Sequence, residues 1–232
     1  MIRLITFCDD QMNISADRLM ESAMRHGVDA VTIYTPQNLD PVFFNCFIKP
    51  DLPARGFGYW RWKPYVIMCA LENLKQGDTL IYSDAGCLIV NNVHPLVNAM
   101  VGDIMLFTNG FEHSHWCKGD IMKYVNGGHT IGYKQCQASL ILFKKTDNAM
   151  NFVKEWYAYC LMPGLIDDSP STYPNAPEYA ENRHDQAILT ALRIKYNMQV
   201  YWFPSTTNHH QTEGETRYRE TILHHRKRNA EW

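Results

Sequence analysis

Residues 76 to 90, QGDTLIYSDAGCLIV, drive a β-branched and aromatic run into Ser83-Asp84-Ala85-Gly86 and then resume as an apolar strand. A carboxylate at the carboxyl end of a buried strand, followed by a flexible glycine, is where open α/β sheets present ligand-binding groups. The pattern suggests a site for a metal and a phosphate. The competing reading is a β-turn in which Asp84 bonds its own backbone.

The start of the chain points to the same class. Ile2 to Cys8 reads as a buried strand, Ala16 to His26 as a helix ended by Gly27, and Ala30 to Tyr34 as a second strand. A β-α-β opening predicts a right-handed crossover and a parallel sheet. Just before the central strand, RGFGYWRWKP at 55 to 64 gathers Tyr59, Trp60 and Trp62 with Arg55, Arg61 and Lys63. A helix follows from Pro64, with Val66, Ile67, Ala70, Leu71 and Leu74 at 3-4 spacing. Lys63 therefore stands beside a helix N-terminus, where backbone donors, helix dipole and ammonium together favour a diphosphate. Exposed Tyr and Trp faces suit a sugar ring or a base; a core-anchoring aromatic cluster with solvated cations is the alternative.

WRWKP with its helix, QGDTLIYSDAG, QASLILFKK at 137 to 145 and NRHDQAILTAL at 182 to 192 resemble, in order and spacing, the small GT-A nucleotide-sugar glycosyltransferases of large DNA viruses and bacterial polysaccharide clusters. The match spans most of the chain. The resemblance implies a single α/β domain over residues 1–232, with a Rossmann-like, mixed and mostly parallel sheet flanked by helices. It also implies transfer of a sugar from a nucleoside diphosphate donor, a UDP-sugar above others, to a carbohydrate acceptor. In such enzymes an Asp-x-Asp holds a divalent metal, Mn²⁺ or Mg²⁺, and the donor diphosphate. Here Gly86 stands where the second Asp belongs, so Asp84 would need a histidine from elsewhere.

The remaining site residues follow from the same resemblance. Thr6, Phe7 and Cys8 at the end of the first strand would cradle the base, although plain strand core explains each as well. Ser83, Asp84 and Ala85 would meet the donor, with Lys63 and Arg226 on its phosphates. Asp185 and Gln186 would lie against the transferred sugar, Asp185 as a base or as a stabiliser of an oxocarbenium-like centre. Asn182 or Asp185 would equally serve as a helix cap. Tyr59, Trp60, Trp116, Asp120 and His184 are candidates for acceptor contact. A C-terminal histidine, His224 or His225, would complete the metal shell; period-two alternation lets one face the site, and His225 is the preferred choice.

At 232 residues, 46% of them apolar, and with a formal charge of -2, the chain supports one core of ordinary size and argues against a dedicated nucleic-acid binder. Seven cysteines without a CxxC pair read as free thiols in a reducing compartment, hence a cytoplasmic setting, that of the host if the protein is viral. No apolar run reaches the roughly 18 to 20 residues of a membrane span, and the N-terminus shows no signal-peptide core. Asp147 to Leu161 predicts a helix with a packing face, and Gln199 to Phe203 a last strand. Residues 109 to 135 read as an irregular, acceptor-facing connection in which His113 and His115 are exposed loop histidines. Residues 163 to 182, with four prolines, read as a loop long enough to act as a lid, a disordered surface loop being the equal alternative.

Two other classes fit part of the pattern. A sugar-nucleotide pyrophosphorylase would open with a glycine-rich basic loop after the first strand, which CDDQMNIS at 8 to 15 is not. A non-catalytic nucleotide-sugar or glycan-binding module would use the aromatic cluster and leave Asp84 to order a turn.

Overall fold

The computed structural model describes residues 1–126, 132–205 and 218–232. Its strands are β1 (Ile2–Phe7), β2 (Ala30–Tyr34), β3 (Thr79–Ser83), β4 (Cys87–Ile89), β5 (Ile104–Glu112), β6 (Lys134–Lys144), β7 (Val200–Trp202) and β8 (Ile222–His224). The longer helices are α1 (Asn13–Arg25), α2 (Trp62–Glu72), α3 (Gly119–Asn126), α4 (Asp147–Leu161) and α5 (His184–Lys195).

Six strands form one sheet in the order β2-β1-β3-β6-β5-β7. β1 pairs in parallel with β2 and β3, β7 pairs in parallel with β5, and β6 alone runs against its neighbours β3 and β5. The fold is therefore α/β with a mixed, mostly parallel sheet, as the resemblance implies; the β-α-β opening accounts for the parallel β1–β2 pair. β4 and β8 make a separate antiparallel pair, with Cys87 opposite His224.

Both faces of the sheet are covered, which is why the strand sequences are almost continuously apolar. Ile5, Phe7, Leu80, Tyr82 and Leu106 pack with α2, α4 and α5 on one side. Leu4, Ile81, Met105, Leu140 and Leu142 pack with Leu19 and Ala23 of α1 on the other. Successive residues of β1 and β3 thus go to opposite layers, the period-two rule of a pleated strand. Asp147–Leu161 is helical with the predicted bounds, its Thr146 hydroxyl capping the Ala149 N–H at 3.1 Å.

Residues 56 to 60 hold consecutive left-handed φ angles of 63°, 53°, 85°, 60° and 57°. Gly56 and Gly58 accept this without cost, whereas Phe57, Tyr59 and Trp60 do not. Strain of that kind persists where packing over-determines it: Trp62 stacks on Phe7 at 4.0 Å between centroids, and its indole N–H donates to the Gly56 carbonyl at 2.9 Å. No helix among the described residues is long and apolar enough to cross a membrane.

Candidate active site

A cavity of about 770 Å³ opens beyond the carboxyl ends of β1 and β3. Phe7, Cys8 and Met12 form its β1 side and Asp84, Ala85 and Gly86 its β3 side. Because β6 is antiparallel, its amino-terminal half lies at the same end of the sheet, and the Asp84 N–H donates to the Ser139 carbonyl at 2.9 Å. Gln135, Gln137 and Ser139, spaced by two, all line the cavity. The start of α5 supplies Arg183 to Gln186, and the return of the chain after β8 supplies Arg226 and Arg228.

At the floor sits Lys63. Its ammonium lies 2.9 Å from Asp185 Oδ2 and 3.4 Å from Asp84 Oδ1, and donates to the Ala138 carbonyl at 3.1 Å. The side chains of Lys63 and Asp185 are 3% and 5% exposed, that of Asp84 37%. Lys63 belongs to the buried stripe of α2 with Ile67, Ala70 and Leu71, so its ammonium is carried under the cavity. Burial works against its charge, but Asp185 and Asp84 outweigh burial and hold it above the usual lysine value. Burial also pushes the Asp185 carboxyl up, to about 6, against the pull of Lys63. The Tyr82 hydroxyl donates to Asp84 Oδ1 at 2.5 Å; burial and the nearby carboxylate raise that phenol well above its ordinary value, so it stays a donor.

Gln186 is held from both ends. Its Oε1 accepts from the Ala138 N–H at 3.2 Å and its Nε2 donates to Gln135 Oε1 at 2.7 Å. His184 adopts a left-handed φ of 51°, stacks near Tyr59 at 5.3 Å and Trp60 at 5.2 Å, and bonds Asp168 Oδ1 through Nε2 at 2.9 Å. Burial lowers its imidazole although Asp168 pulls the other way. Trp116 faces the cavity with the Arg183 guanidinium 4.3 Å over its ring, and Arg183 and Arg55 both pair with Glu181.

Of the residues singled out from sequence, Phe7, Cys8, Trp60, Lys63, Asp84, Ala85, Trp116, His184, Asp185, Gln186 and Arg226 come together around this cavity. The others do not. Thr6 is fully buried on the strand, with its hydroxyl unpartnered, and Ser83 is buried with its hydroxyl on the Asp84 carbonyl at 3.3 Å. Tyr59 lies behind His184 rather than on the lining. Asp120 is a structural anchor: its carboxylate accepts the N–H groups of Thr172 at 3.0 Å and Tyr173 at 3.2 Å. Neither Asn182 nor Asp185 caps α5, whose N-cap is Arg183 without a side-chain bond; Asn182 donates to the Leu165 carbonyl at 3.2 Å instead. Lys63 is no solvent-facing phosphate clamp, since two carboxylates already claim it.

Further corrections concern the histidines. His224, not His225, lines the cavity, with Nε2 hydrogen-bonded to Ser139 Oγ at 2.9 Å and its ring 4.9 Å from Phe203. The β4–β8 register sets this phase, placing His224 opposite Cys87. His225 accepts from the Lys227 N–H at 3.0 Å through Nδ1 and meets Trp232 edge-on at 4.9 Å. Burial lowers the His224 imidazole to about 4, with Asp84 opposing, so it is neutral at pH 7. His113 is fully buried rather than exposed, and His115 is half-buried. His209, His210 and residues 127 to 131 of the 109 to 135 connection lie outside the described residues.

The 163 to 182 segment is fastened along its length instead of standing free as a lid. Lys118 donates to the Gly164 carbonyl at 2.5 Å and pairs with Asp167, the Gly119 N–H donates to Asn175 at 2.7 Å, and the Ala180 N–H to the His115 carbonyl at 2.8 Å. Sequence reasoning missed Gln135, Gln137, Asn109, Arg183 and Arg228 on the lining. The polar alternation of residues 135, 137 and 139 inside an apolar strand was a usable signal for the first two.

A divalent ion held as the resemblance implies needs carboxylate or imidazole lone pairs that converge. Asp84 Oδ1 is taken by Tyr82 and faces Lys63, His224 Nε2 is committed to Ser139, and His225 packs on Trp232. Among the described residues no three His, Cys, Asp or Glu side chains are grouped so as to hold a metal. A Cβ on Gly86 would stand 3.0 Å from Arg226 Cα and 3.4 Å from its nitrogen, so a side chain there would press on the Arg226 backbone. Among the described residues, those around the cavity do not fit a protein-held divalent ion.

Neither a protein-family model nor a curated protein matches the sequence. Among solved structures, mouse xyloside xylosyltransferase 1 in its apo form is similar with a TM-score of 0.52 at 12% identity, over 96% of both chains. The glycosyltransferase GlyE of Streptococcus pneumoniae TIGR4 aligns at 13% identity and a TM-score of 0.48, over 87% of this chain and 45% of its own. The bifunctional glycosyltransferase WbbM aligns at 12% and 0.49, over 88% of this chain and 38% of its own. The xylosyltransferase likeness, end to end on both chains, identifies the architecture as a GT-A-like glycosyltransferase fold.

Proposed function

We propose that this protein is a glycosyltransferase that moves a sugar from a nucleoside diphosphate-sugar, a UDP-sugar by preference, to a carbohydrate acceptor. The observation that carries this reading is the Lys63 ammonium held between Asp84 and Asp185 at the floor of a cavity where strand ends meet in a GT-A-like fold. Such a crevice is where open α/β sheets bind nucleotides. The base would lie along Phe7, Cys8 and Met12, and Trp60 and Trp116 offer flat faces to sugar rings.

In the transfer, an acceptor hydroxyl oxygen forms a bond to the donor's anomeric carbon while the bond from that carbon to the diphosphate breaks. The electron pair leaves on the diphosphate, and the hydroxyl proton goes to Asp185. A carboxyl raised to about 6 is ionised at neutral pH yet basic enough to accept it. Gln186, fixed at both ends of its amide, positions the sugar. Free thiols and the reading above support a cytoplasmic site of action.

The test is release of nucleoside diphosphate from a panel of nucleotide sugars, with and without Mn²⁺ or Mg²⁺. Turnover of at least one donor is expected, with kcat/KM rising with pH through an apparent pKa of about 6 as Asp185 ionises. Asp185→Asn should cut turnover by roughly a hundredfold or more and leave calorimetric donor affinity nearly unchanged. Donor binding without turnover would reduce the protein to a binding module, and near-normal turnover in Asp185→Asn would remove the base.

A further inference from the structure

The cavity disagrees with a metal-dependent site at one particular place. Where a second carboxylate would hold a divalent ion, the chain has Gly86, and the backbone of Arg226 is laid against it. The Arg226 N–H donates to the Gly86 carbonyl at 3.0 Å, as does that of His225, and the Arg226 Cα is the atom a Cβ at position 86 would meet first. The side chain is close as well, with Cγ 3.7 Å from that same Cβ position. Arg226 takes a left-handed φ of 56°, a conformation non-glycine residues rarely adopt without compensation. A strained residue thus packs its backbone against Gly86 and brings an exposed cationic side chain to the cavity wall.

The charge bookkeeping of the site points the same way. Arg226 and Arg228 both line the cavity. Arginine ion pairs among the described residues are made by Arg25, Arg55, Arg61 and Arg183, and not by these two. Lys63, by contrast, is committed to Asp84 and Asp185. Two exposed arginines without an ion pair among the described residues therefore line a cavity whose floor is already charge-compensated. Guanidinium matches phosphate oxygens with paired N–H donors, and a cation fixed where charge develops on a leaving group stabilises the transition state without needing to be recruited.

We propose that Arg226, assisted by Arg228, does the work of the divalent ion: the leaving diphosphate is neutralised by the chain's own guanidiniums, and donor binding and transfer proceed without a metal. This rests on the sugar-nucleotide reading above. As the anomeric carbon–oxygen bond breaks, the electron pair moves onto the diphosphate oxygen, and Arg226 donates to the phosphoryl oxygens on which that charge spreads.

The test is calorimetry on the full chain with UDP, GDP, CDP, ADP and dTDP, in EDTA and again with Mn²⁺. At least one diphosphate should bind in EDTA with an affinity that Mn²⁺ does not raise. Arg226→Asn is the informative variant, because Asn tolerates a left-handed backbone while removing the guanidinium. It should weaken that diphosphate by about ten- to a hundredfold while leaving the parent nucleoside's affinity unchanged, and Arg226→Lys should restore part of the loss. Binding that appears only with Mn²⁺, or an Arg226→Asn protein with wild-type affinity at an unchanged melting temperature, would overturn the proposal and leave the glycosyltransferase reading standing. Absence of binding by all five diphosphates in both conditions would overturn that reading, and this inference with it.

Discussion

Lys63 decides the character of the site at the scale of single residues. Isolated carboxylates are expensive to bury, and Asp185 is buried; the ammonium 2.9 Å away makes its ionised form tolerable. Even so, the folded state favours the protonated acid, since the carboxyl stands at about 6 instead of 3.8. A raised acid contributes stability in full below its unfolded value and loses it as pH climbs through the folded one. Lys63→Met keeps the shape of the stem but removes the cation, so that loss should deepen. Breaking a buried pair in this way costs about 3 to 5 kcal/mol near neutral pH. The gap to wild type should therefore be large at about pH 8 and shrink at about pH 5, where Asp185 takes up a proton. Urea melts at the two pH values measure it, and a gap independent of pH would mean that Lys63 acts through packing and not through charge.

At the scale of elements, what the sequence makes legible depends on whether one face of an element is marked. Lys63 falls on the same helical stripe as Ile67 and Leu71, so its burial was readable from spacing that had been used only to draw the helix. The β6 stripe of Gln135, Gln137 and Ser139 was readable too. The phase of β8 was not: Ile222 and Leu223 are both apolar, so alternation leaves either His224 or His225 inward, and only pairing with β4 breaks the tie. The 163 to 182 loop is a third case, because prolines and carboxylates announce a loop but not its tethers. One of those tethers is steric. A Cβ on Gly119 would meet the backbone carbonyl of Pro174 and come within 2.6 Å of that of Tyr173, both fixed by the bonds of Thr172 and Tyr173 to Asp120. Gly119→Ala should therefore cost about 1 to 3 kcal/mol and speed proteolysis within 163 to 182. An equal melting temperature and an unchanged cleavage pattern would show that the loop is not held at this point.

At the scale of the whole molecule, the β-α-β opening and the two layers of apolar residues were enough to reach the sheet, because burial on both faces leaves a near-continuous hydrophobic signature. The closing segment was harder to foresee. Its return over Gly86 depends on a three-residue strand and on contacts more than two hundred residues apart in sequence, such as the Asn229 side chain donating to the Asp10 carbonyl at 2.8 Å. Local pattern holds no trace of such pairings. The thiols give a direct reading of that global closure. Cys8, Cys87, Cys117, Cys136 and Cys160 are buried, Cys69 is half-buried and Cys46 is exposed. Cys8 and Cys87 both line the cavity, one after β1 and one in the strand that β8 pairs with. The thiols of the five buried cysteines are all pushed above the usual value, burial first among the causes, so they combine low access with low thiolate content. A disulfide exchange reagent should thus label Cys46 rapidly in the native protein and Cys69 slowly, with all seven reacting in guanidinium. Cys46→Ser should abolish the rapid phase. Rapid native labelling of Cys87 would mean that the β4–β8 pair opens readily, and the cavity wall that this pair provides would not be the resting state.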